Sequence, residues 1–418
     1  MKLMVAEEEA PERFQSFLES GVYQLQCSDV VFMDPVRVLN KSYSRFQVSP
    51  AAYYSRFFGS DVPVVPDDIE LCPKLKRRKR KRKGGGKAAQ TINMGELAAM
   101  SRHEKVRPML VKAHERLMND RQFLEVVKCL RNCTAPSQGQ CVGNEAPFVE
   151  LGRVWQAPLY ELILDFHRGQ EEPNEEVEKL AVPLFNNLVK NTTSEDLEAD
   201  FLGNRYILPK QSSFYMSDLS EIGGIVPAES DVGFNIIMID PPWENASASK
   251  KRRYETLPNR YFLSLPIKHL AHSDGALVAL WVTNKEKLRK YVENELFPSW
   301  GVRYAATFYW LKVKADGSLI CDLDNFHHRP YECLVLGYIQ EKKLGEKGVV
   351  NDKVVLSIPG EYSRKPPVGA LLSGYAPGGG RPRCVEMFAR EMVSQCTAWG
   401  NEPLRFQRAE NFLSLDNQ

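Results

Sequence analysis

The chain has 418 residues, 43 % of them hydrophobic and 26 % charged, which suits two or three soluble globular domains. No apolar segment approaches the ~20 residues that span a bilayer, and the acidic opening MKLMVAEEEAPE lacks the form of a secretory leader. No membrane partner is expected, and the nine scattered cysteines are expected to be free thiols in a reducing compartment.

In chain order, residues 1–65 mix aromatic and β-branched residues with turn signals, and short strands are predicted at Val22–Cys27, Val30–Met33 and Phe46–Val48. Residues 66–92 form a linker. The net charge of the whole chain is only +2, yet Lys76–Lys83 reads KRRKRKRK without a break and runs into Gly84–Gly86. A block of like charges repels itself and is expected to be disordered; it reads as a nuclear-targeting or nucleic-acid-contacting segment, and a nuclear location is expected. Between Met94 and Cys133 the apolar residues Leu97, Met100, Val106, Leu110, Val111, Leu117, Phe123, Val126 and Val127 recur at three- and four-residue spacing, the pattern of an amphipathic helix. Leu151–Phe166 and Val177–Val189 read the same way, and Thr193–Asp196 has the polar opening of a short helix. Residues 93–200 are therefore predicted to be a helical middle domain.

Residues 201–418 change character. Phe234–Ile239 (FNIIMI), Ala276–Val282, Thr307–Val313, Glu332–Tyr338 and Val354–Ile358 are continuous apolar runs of strand length, with helical stretches between some of them. Strands buried on both faces read this way, and the alternation predicts an α/β domain. Asp240-Pro241-Pro242-Trp243 follows FNIIMI directly. Ligands of open α/β sheets bind beyond the carboxyl ends of the strands, which is where Asp240 falls. The two prolines stop the strand and stiffen the loop. This grouping suits an aromatic amine: a carboxylate and a backbone carbonyl accept its two N–H bonds and free the lone pair otherwise delocalised into the ring, while Trp243 offers a stacking face.

Asp-Pro-Pro-Trp after an apolar strand resembles the signature of the N6-adenine methyltransferase family typified by the catalytic subunit of the messenger-RNA adenosine methyltransferase. The resemblance runs from Arg205 to Glu402. Within it, Ile207–Leu219, Trp281–Asn284 (WVTN), His327–Gly337 and Trp399–Glu402 (WGNE) are most similar to the fourth methyltransferase-like branch. It implies a Rossmann-like methyltransferase sheet in permuted order, with the catalytic strand first and the cofactor-binding strand near the carboxyl end, and S-adenosylmethionine as the cofactor.

Residue by residue, the resemblance implies that Asp240 accepts from the target amine near the cofactor's amino group, that Pro241 offers its carbonyl, that Pro242 shapes the loop and that Trp243 stacks on the base. Asp218 and Leu219 match cofactor-adenine contacts. Lys365 lies in a Ser-Arg-Lys-Pro block like the family's Ser-His-Lys-Pro, Arg390 matches a ribose contact, and Asn401 and Glu402 match the polar pair beside it. Arg364 departs from the family histidine and Ala389 from a glycine, and Glu402 replaces the glutamine of the messenger-RNA enzyme. On the substrate side stand the basic-aromatic cluster Lys250, Lys251, Arg252, Arg253 and Tyr254, suited to phosphate and base, together with Trp281, Asn284 and Glu332. No metal site is expected. The implied substrate is RNA, specifically 2′-O-methyladenosine in small nuclear RNA, with DNA adenine or a non-catalytic nucleic-acid scaffold as alternatives; a self-sufficient monomer is expected.

Overall fold

The computed structural model describes residues 12–26, 29–56, 58, 94–131, 148–153, 156–166, 178–244, 256–325, 328–340, 348–361 and 363–415. The basic run 76–83, the cluster Lys250–Tyr254 and His327 lie outside the described residues.

The architecture is built on one sheet of eleven strands. In spatial order these are Val22–Gln24, Val30–Met33, Lys353–Ser357, Arg303–Lys312, Tyr331–Ile339, Ala276–Val282, Ile236–Ile239, Cys384–Met387, Cys396–Gly400, Ser212–Met216 and Leu188–Asn191. Ile236–Ile239 lies at the centre and pairs in parallel with both of its neighbours. Its alternate side chains serve two cores. Ile237 and Ile239 join Val278, Leu280, Val385 and Met387 on one face, and Ile236 and Met238 join Leu277, Ala279 and Trp281 on the other. A strand with both faces covered must be apolar throughout, which is why FNIIMI carries no alternation.

The permutation is visible in the pairing. Cys384–Met387 and Cys396–Gly400, late in the chain, insert in parallel between the central strand and Ser212–Met216. Tyr331–Ile339 runs antiparallel to both Ala276–Val282 and Arg303–Lys312, so its first residues sit at the same sheet edge as its neighbours' carboxyl ends. This is the Rossmann-like methyltransferase sheet in permuted order that the sequence predicts.

Of the amino-terminal strands, Val30–Met33 pairs in parallel with Lys353–Ser357, and Phe46–Val48 pairs with Phe412–Ser414. One expectation needs correction. Residues 93–200 are helical only in part, at Met94–Asn119, Arg121–Cys129 and the single turn Phe148–Leu151. Glu161–Phe166, Glu178–Pro183, Leu197–Phe201 and Asn204–Leu208 make a four-stranded antiparallel sheet, and Leu188–Asn191 closes the edge of the main one. The physical signal is a period of two: Leu162 and Leu164 are buried between exposed Glu161 and Ile163, and Leu197, Ala199 and Phe201 alternate in the same way. Over six residues this pattern and a helical one share apolar positions, and pairing decides between them. Thr193–Asp196 opens no helix. Asn191 Oδ1 accepts from Thr193 N at 3.0 Å and forms a side-chain turn. The buried Asp196 carboxylate then accepts from the backbone N–H groups of Ser44, Arg45 and Phe46 at 2.6–3.0 Å, fixing the amino-terminal segment to this sheet.

The Met94–Asn119 helix buries Leu110, Ala113 and Leu117, and Asp120 caps the next helix through Phe123 N at 3.1 Å. The first half of Met94–Asn119 is tied by polar contacts to the helical segment Glu286–Leu296, where Arg102 reaches Glu286 at 2.8 Å and Glu293 at 2.9 Å, and to the sheet and a nearby turn, where His103 meets Tyr331 Oη and Asp324 at 3.1 Å each.

Candidate active site

Because the inner strands run in parallel, the residues that follow them converge at one edge of the sheet. A cavity of about 1650 Å³ opens there. Asp240 to Trp243 after the central strand, Thr283 and Asn284 after Ala276–Val282, Phe388 and Arg390 after Cys384–Met387, Asn401 and Glu402 after Cys396–Gly400, and Asp218 and Leu219 after Ser212–Met216 all line it. Gly95, Glu96 and Ala99 at the start of the long helix contribute from the middle region.

At the cavity floor lies a row of four charges. Lys365 Nζ is 3.2 Å from Asp240 Oδ1 and 3.4 Å from Glu332 Oε2, and Lys312 Nζ contacts the other Glu332 oxygen. The order is carboxylate, ammonium, carboxylate, ammonium, so the row is neutral overall. The register explains it: Lys312 ends one strand and Glu332 lies near the start of its antiparallel neighbour, with Trp310 opposite Glu332. Burial pushes the Glu332 carboxyl up, but Lys312 and Lys365 pull harder and hold it down to about 2. Burial pushes the Lys365 ammonium down, and Asp240 and Glu332 reverse that and raise it. Lys312 stays lowered, because burial outweighs its one carboxylate partner. Lys312 Nζ also lies 4.2 Å from the Trp310 ring centroid, a cation–π contact.

The Asp-Pro-Pro-Trp loop is held from several sides. Asp240 N donates to Met387 O at 3.2 Å. Pro241 O accepts from Trp243 N at 2.8 Å and keeps a second lone pair. Pro242 O accepts from Leu257 N at 3.0 Å. Trp243 Nε1 donates to Trp281 O at 2.8 Å, and its ring meets Phe262 edge-on. The indole is only 5 % exposed, so it is part of the cavity wall and of the core together.

Among the residues expected to hold the cofactor, Arg390 Nη2 donates to Ser363 O. Glu402 is paired with Arg405 at 2.8 Å. Asp218 caps the turn that follows it, accepting from Ser220 N at 2.8 Å. Ser363 and Phe388 both line the cavity in the left-handed region, at φ 69° and 61°, a conformation that costs non-glycine residues energy and gathers at functional sites. Ala389 does not narrow the cavity: it is outside the lining and packs with Met392, Ala398 and Leu404. Glu386, one strand over from Met238, is pushed up to about 8, first by burial and then by Glu391 and Asp240.

The predicted substrate residues divide. Glu332 and Asn284 line the cavity; Asn284 Nδ2 donates to Tyr331 O and its Oδ1 faces Cys333 Sγ at 3.6 Å. Trp281 is not in the lining: it is buried beneath the site, edge-on to Trp310 and 5.8 Å below Lys365 Nζ, so it supports the wall and does not form it. The sequence reading missed Lys312, which had one signal, a lone charge inside the run FYWLKV. It also missed Thr283, whose buried Oγ1 has no hydrogen-bond partner among the described residues, and the helix start at Gly95–Ala99, which no local pattern marks.

Fold and site together define a class: a Rossmann-like methyltransferase with an Asp-Pro-Pro-Trp loop at the carboxyl end of its central strand. The MT-A70 family model matches residues 234–402. The N(6)-adenine-specific methyltransferase METTL4 of Mus musculus is 32 % identical over 337 residues, covering 78 % of this chain and 70 % of its own. The Homo sapiens protein of the same name is 29 % identical over 415 residues, covering 96 % and 84 %. The N6-methyladenosine RNA methyltransferase MTA1 of Pyricularia oryzae is 30 % identical over 237 residues, covering 54 % and 61 %. The chain belongs to the MT-A70 family of N6-adenine methyltransferases.

Proposed function

We propose that this protein uses S-adenosylmethionine to methylate N6 of adenine in RNA, specifically adenosine that already carries a 2′-O-methyl group, as in small nuclear RNA, and that it does so in the nucleus as a self-sufficient monomer. The observation that carries the reaction is the Asp240–Lys365 pair at the end of the central strand, inside a cavity that also presents Arg390, Asn401 and Glu402. The donor set fits the cofactor: two hydroxyls, an amine and a carboxylate call for several polar partners of both signs, and these line one cavity.

When bound, S-adenosylmethionine supplies a methyl group on an electrophilic sulfur. The chain's own residues prepare the acceptor. Asp240 Oδ and the free lone pair of Pro241 O take the two N–H bonds of the adenine amine, which draws the nitrogen toward tetrahedral geometry and directs its lone pair at the methyl group. The amine proton leaves to solvent after transfer, so no residue needs the basicity of a general base. Lys365, between Asp240 and Glu332, holds the Asp240 carboxylate in place. Adenine reaches such a cavity only when unstacked, which favours single-stranded or flipped-out nucleotides. The RNA assignment draws on the relative named as an RNA methyltransferase and on the implied branch.

The test is methylation with methyl-deuterated S-adenosylmethionine of small nuclear RNA, unmodified RNA and DNA, with digestion to nucleosides and mass spectrometry, and with Asp240→Ala in parallel. The expected product is N6-methylated 2′-O-methyladenosine, with the variant down ~10²–10³-fold. Label only in deoxyadenosine would replace RNA with DNA, and no cofactor binding at all would favour a nucleic-acid scaffold.

A further inference from the structure

Arg364 takes no part in the chemistry above, yet it is among the most completely partnered residues of the site region. It is 6 % exposed. Its Nε lies 3.2 Å from Glu391 Oε2 and its Nη2 contacts Oε1, a two-pronged pair. Its guanidinium carbon also lies 4.2 Å from the ring centroids of both Tyr53 and Phe406. Four stretches therefore meet on one side chain: the loop after Lys353–Ser357, the loop after Cys384–Met387, the segment after Cys396–Gly400 that carries Phe406, and the amino-terminal turn Pro50–Tyr53, which Ser49 caps through Ala52 N.

The pairing has a direction. Arg364 precedes Lys365, and Glu391 follows Arg390. The two loops are thus tied twice, by Arg364 to Glu391 and by Arg390 Nη2 to Ser363 O. Tyr53 supports the first loop from behind: a Cβ on Gly360 would meet the Tyr53 ring at 2.7 Å and its carbonyl at 3.0 Å. Arginine suits this place because a planar guanidinium gives two parallel bonds to a carboxylate and flat faces to aromatic rings, which an ammonium does not.

We infer that Arg364 and Tyr53 are positioning residues that set the spacing between Lys365 and Arg390, so that the amino-terminal segment, whose Arg56 and Phe58 line the cavity, also serves the methyl-donor site through a residue that does not line it. The inference rests on S-adenosylmethionine being the donor. Hydrogen bonds weaken steeply beyond about 3.2 Å, so a small slip of one loop against the other costs a donor contact at Lys365 or Arg390. Lys365 is also held by Asp240 and Glu332 at 3.2 and 3.4 Å, so the slip falls mainly on Arg390, and the acceptor contacts at Asp240 and Pro241, on a different strand end, are spared.

The full-length chain is compared with Tyr53→Leu, Tyr53→Phe and Arg364→Lys. Three quantities are read: the dissociation constant of S-adenosylhomocysteine by calorimetry, the KM for S-adenosylmethionine, and kcat with the KM for RNA at saturating donor. Losing a desolvated cation–π or fork contact is expected to weaken donor-product binding and raise the donor KM about 5- to 30-fold. With the donor saturating, kcat and the RNA KM stay within about twofold. Tyr53→Phe keeps the ring and matches the wild type. Unchanged donor affinity in Tyr53→Leu and Arg364→Lys overturns the inference, as does a loss confined to kcat, or damage by Tyr53→Phe equal to that by Tyr53→Leu. Circular dichroism confirms folding of each variant; if Tyr53→Leu does not fold, Arg364→Lys decides alone. A wild-type chain that binds no S-adenosylhomocysteine would instead remove the donor assignment on which the inference stands.

Discussion

Arg364 and Lys365 are neighbours in sequence, both are largely buried, and both meet carboxylates, yet their surroundings differ. Lys365 faces the cavity in a row of alternating charges whose members lie 3.2–3.4 Å from it. Arg364 is closed off by Glu391 and two aromatic rings. Burying an ion costs several kcal/mol unless partners offset it, and the two residues meet that cost differently. The Lys365 row is neutral and open on one side, so an incoming ligand can exchange places with one of its members. The Arg364 pair is complete without any ligand. A charge that must respond to substrate is thereby kept apart from a charge that holds the frame.

Substitutions can break this contrast in graded steps. The largest effect is expected from Lys365→Met, which sets Asp240 and Glu332 against each other without a cation between them: turnover should fall by ~10² or more, while urea unfolding shows a much smaller change. Arg364→Met should do the reverse, leaving Glu391 buried and unpaired at a cost of about 3–5 kcal/mol in unfolding free energy; adding Glu391→Met should restore most of it. Lys312→Met removes one of two cations from Glu332, a charge-assisted bond of about 1.5–3 kcal/mol. A shift of the acid limb of the pH–rate profile toward higher pH, absent in the wild type, would confirm that Lys312 serves Glu332.

Two smaller effects concern pH and stability. Glu332 is held at about 2 in the fold, against an ordinary value of 4.5. Its stabilising contribution is therefore present above pH 4.5 and disappears as pH falls through about 2. The stability gap between the wild type and Glu332→Gln should close across that window in acid-unfolding curves. Glu386 has the opposite sign. Raised from 4.5 to about 8, it contributes fully below pH 4.5 and loses that contribution as pH rises through about 8. Glu386→Gln, which mimics the protonated form, should melt higher than the wild type at pH 8, and the difference should shrink toward pH 5.

The legible part of the molecule was the part whose residues face one environment. FNIIMI is apolar on both faces and could be placed as an inner strand, and Asp240 followed from it. Glu161–Phe166 was misread as helix because its short apolar run fits two periods, and only its partners Glu178–Pro183 and Leu197–Phe201 settle which. The loops after Cys384–Met387 and Cys396–Gly400, which carry Arg390, Asn401 and Glu402, were recognisable as motifs. Their buttress was not, because Tyr53 lies about three hundred residues before Arg364 and Glu391 and none of the three is unusual in its own neighbourhood. Lys312 lay between: a lone lysine in an apolar run invited a question that only the register with Glu332 answers.

The pairing of Phe46–Val48 with Phe412–Ser414 also bears on how the chain is made. A ribosome adds ~5–20 residues per second, so the first of these strands waits roughly 20–70 seconds for its partner to be synthesised. Val30–Met33 waits nearly as long for Lys353–Ser357. Contacts this distant in sequence slow folding and leave strand edges exposed meanwhile. The segment that carries Tyr53 is thus made long before the strands that secure it, and its edges stay open to other partners in the interval.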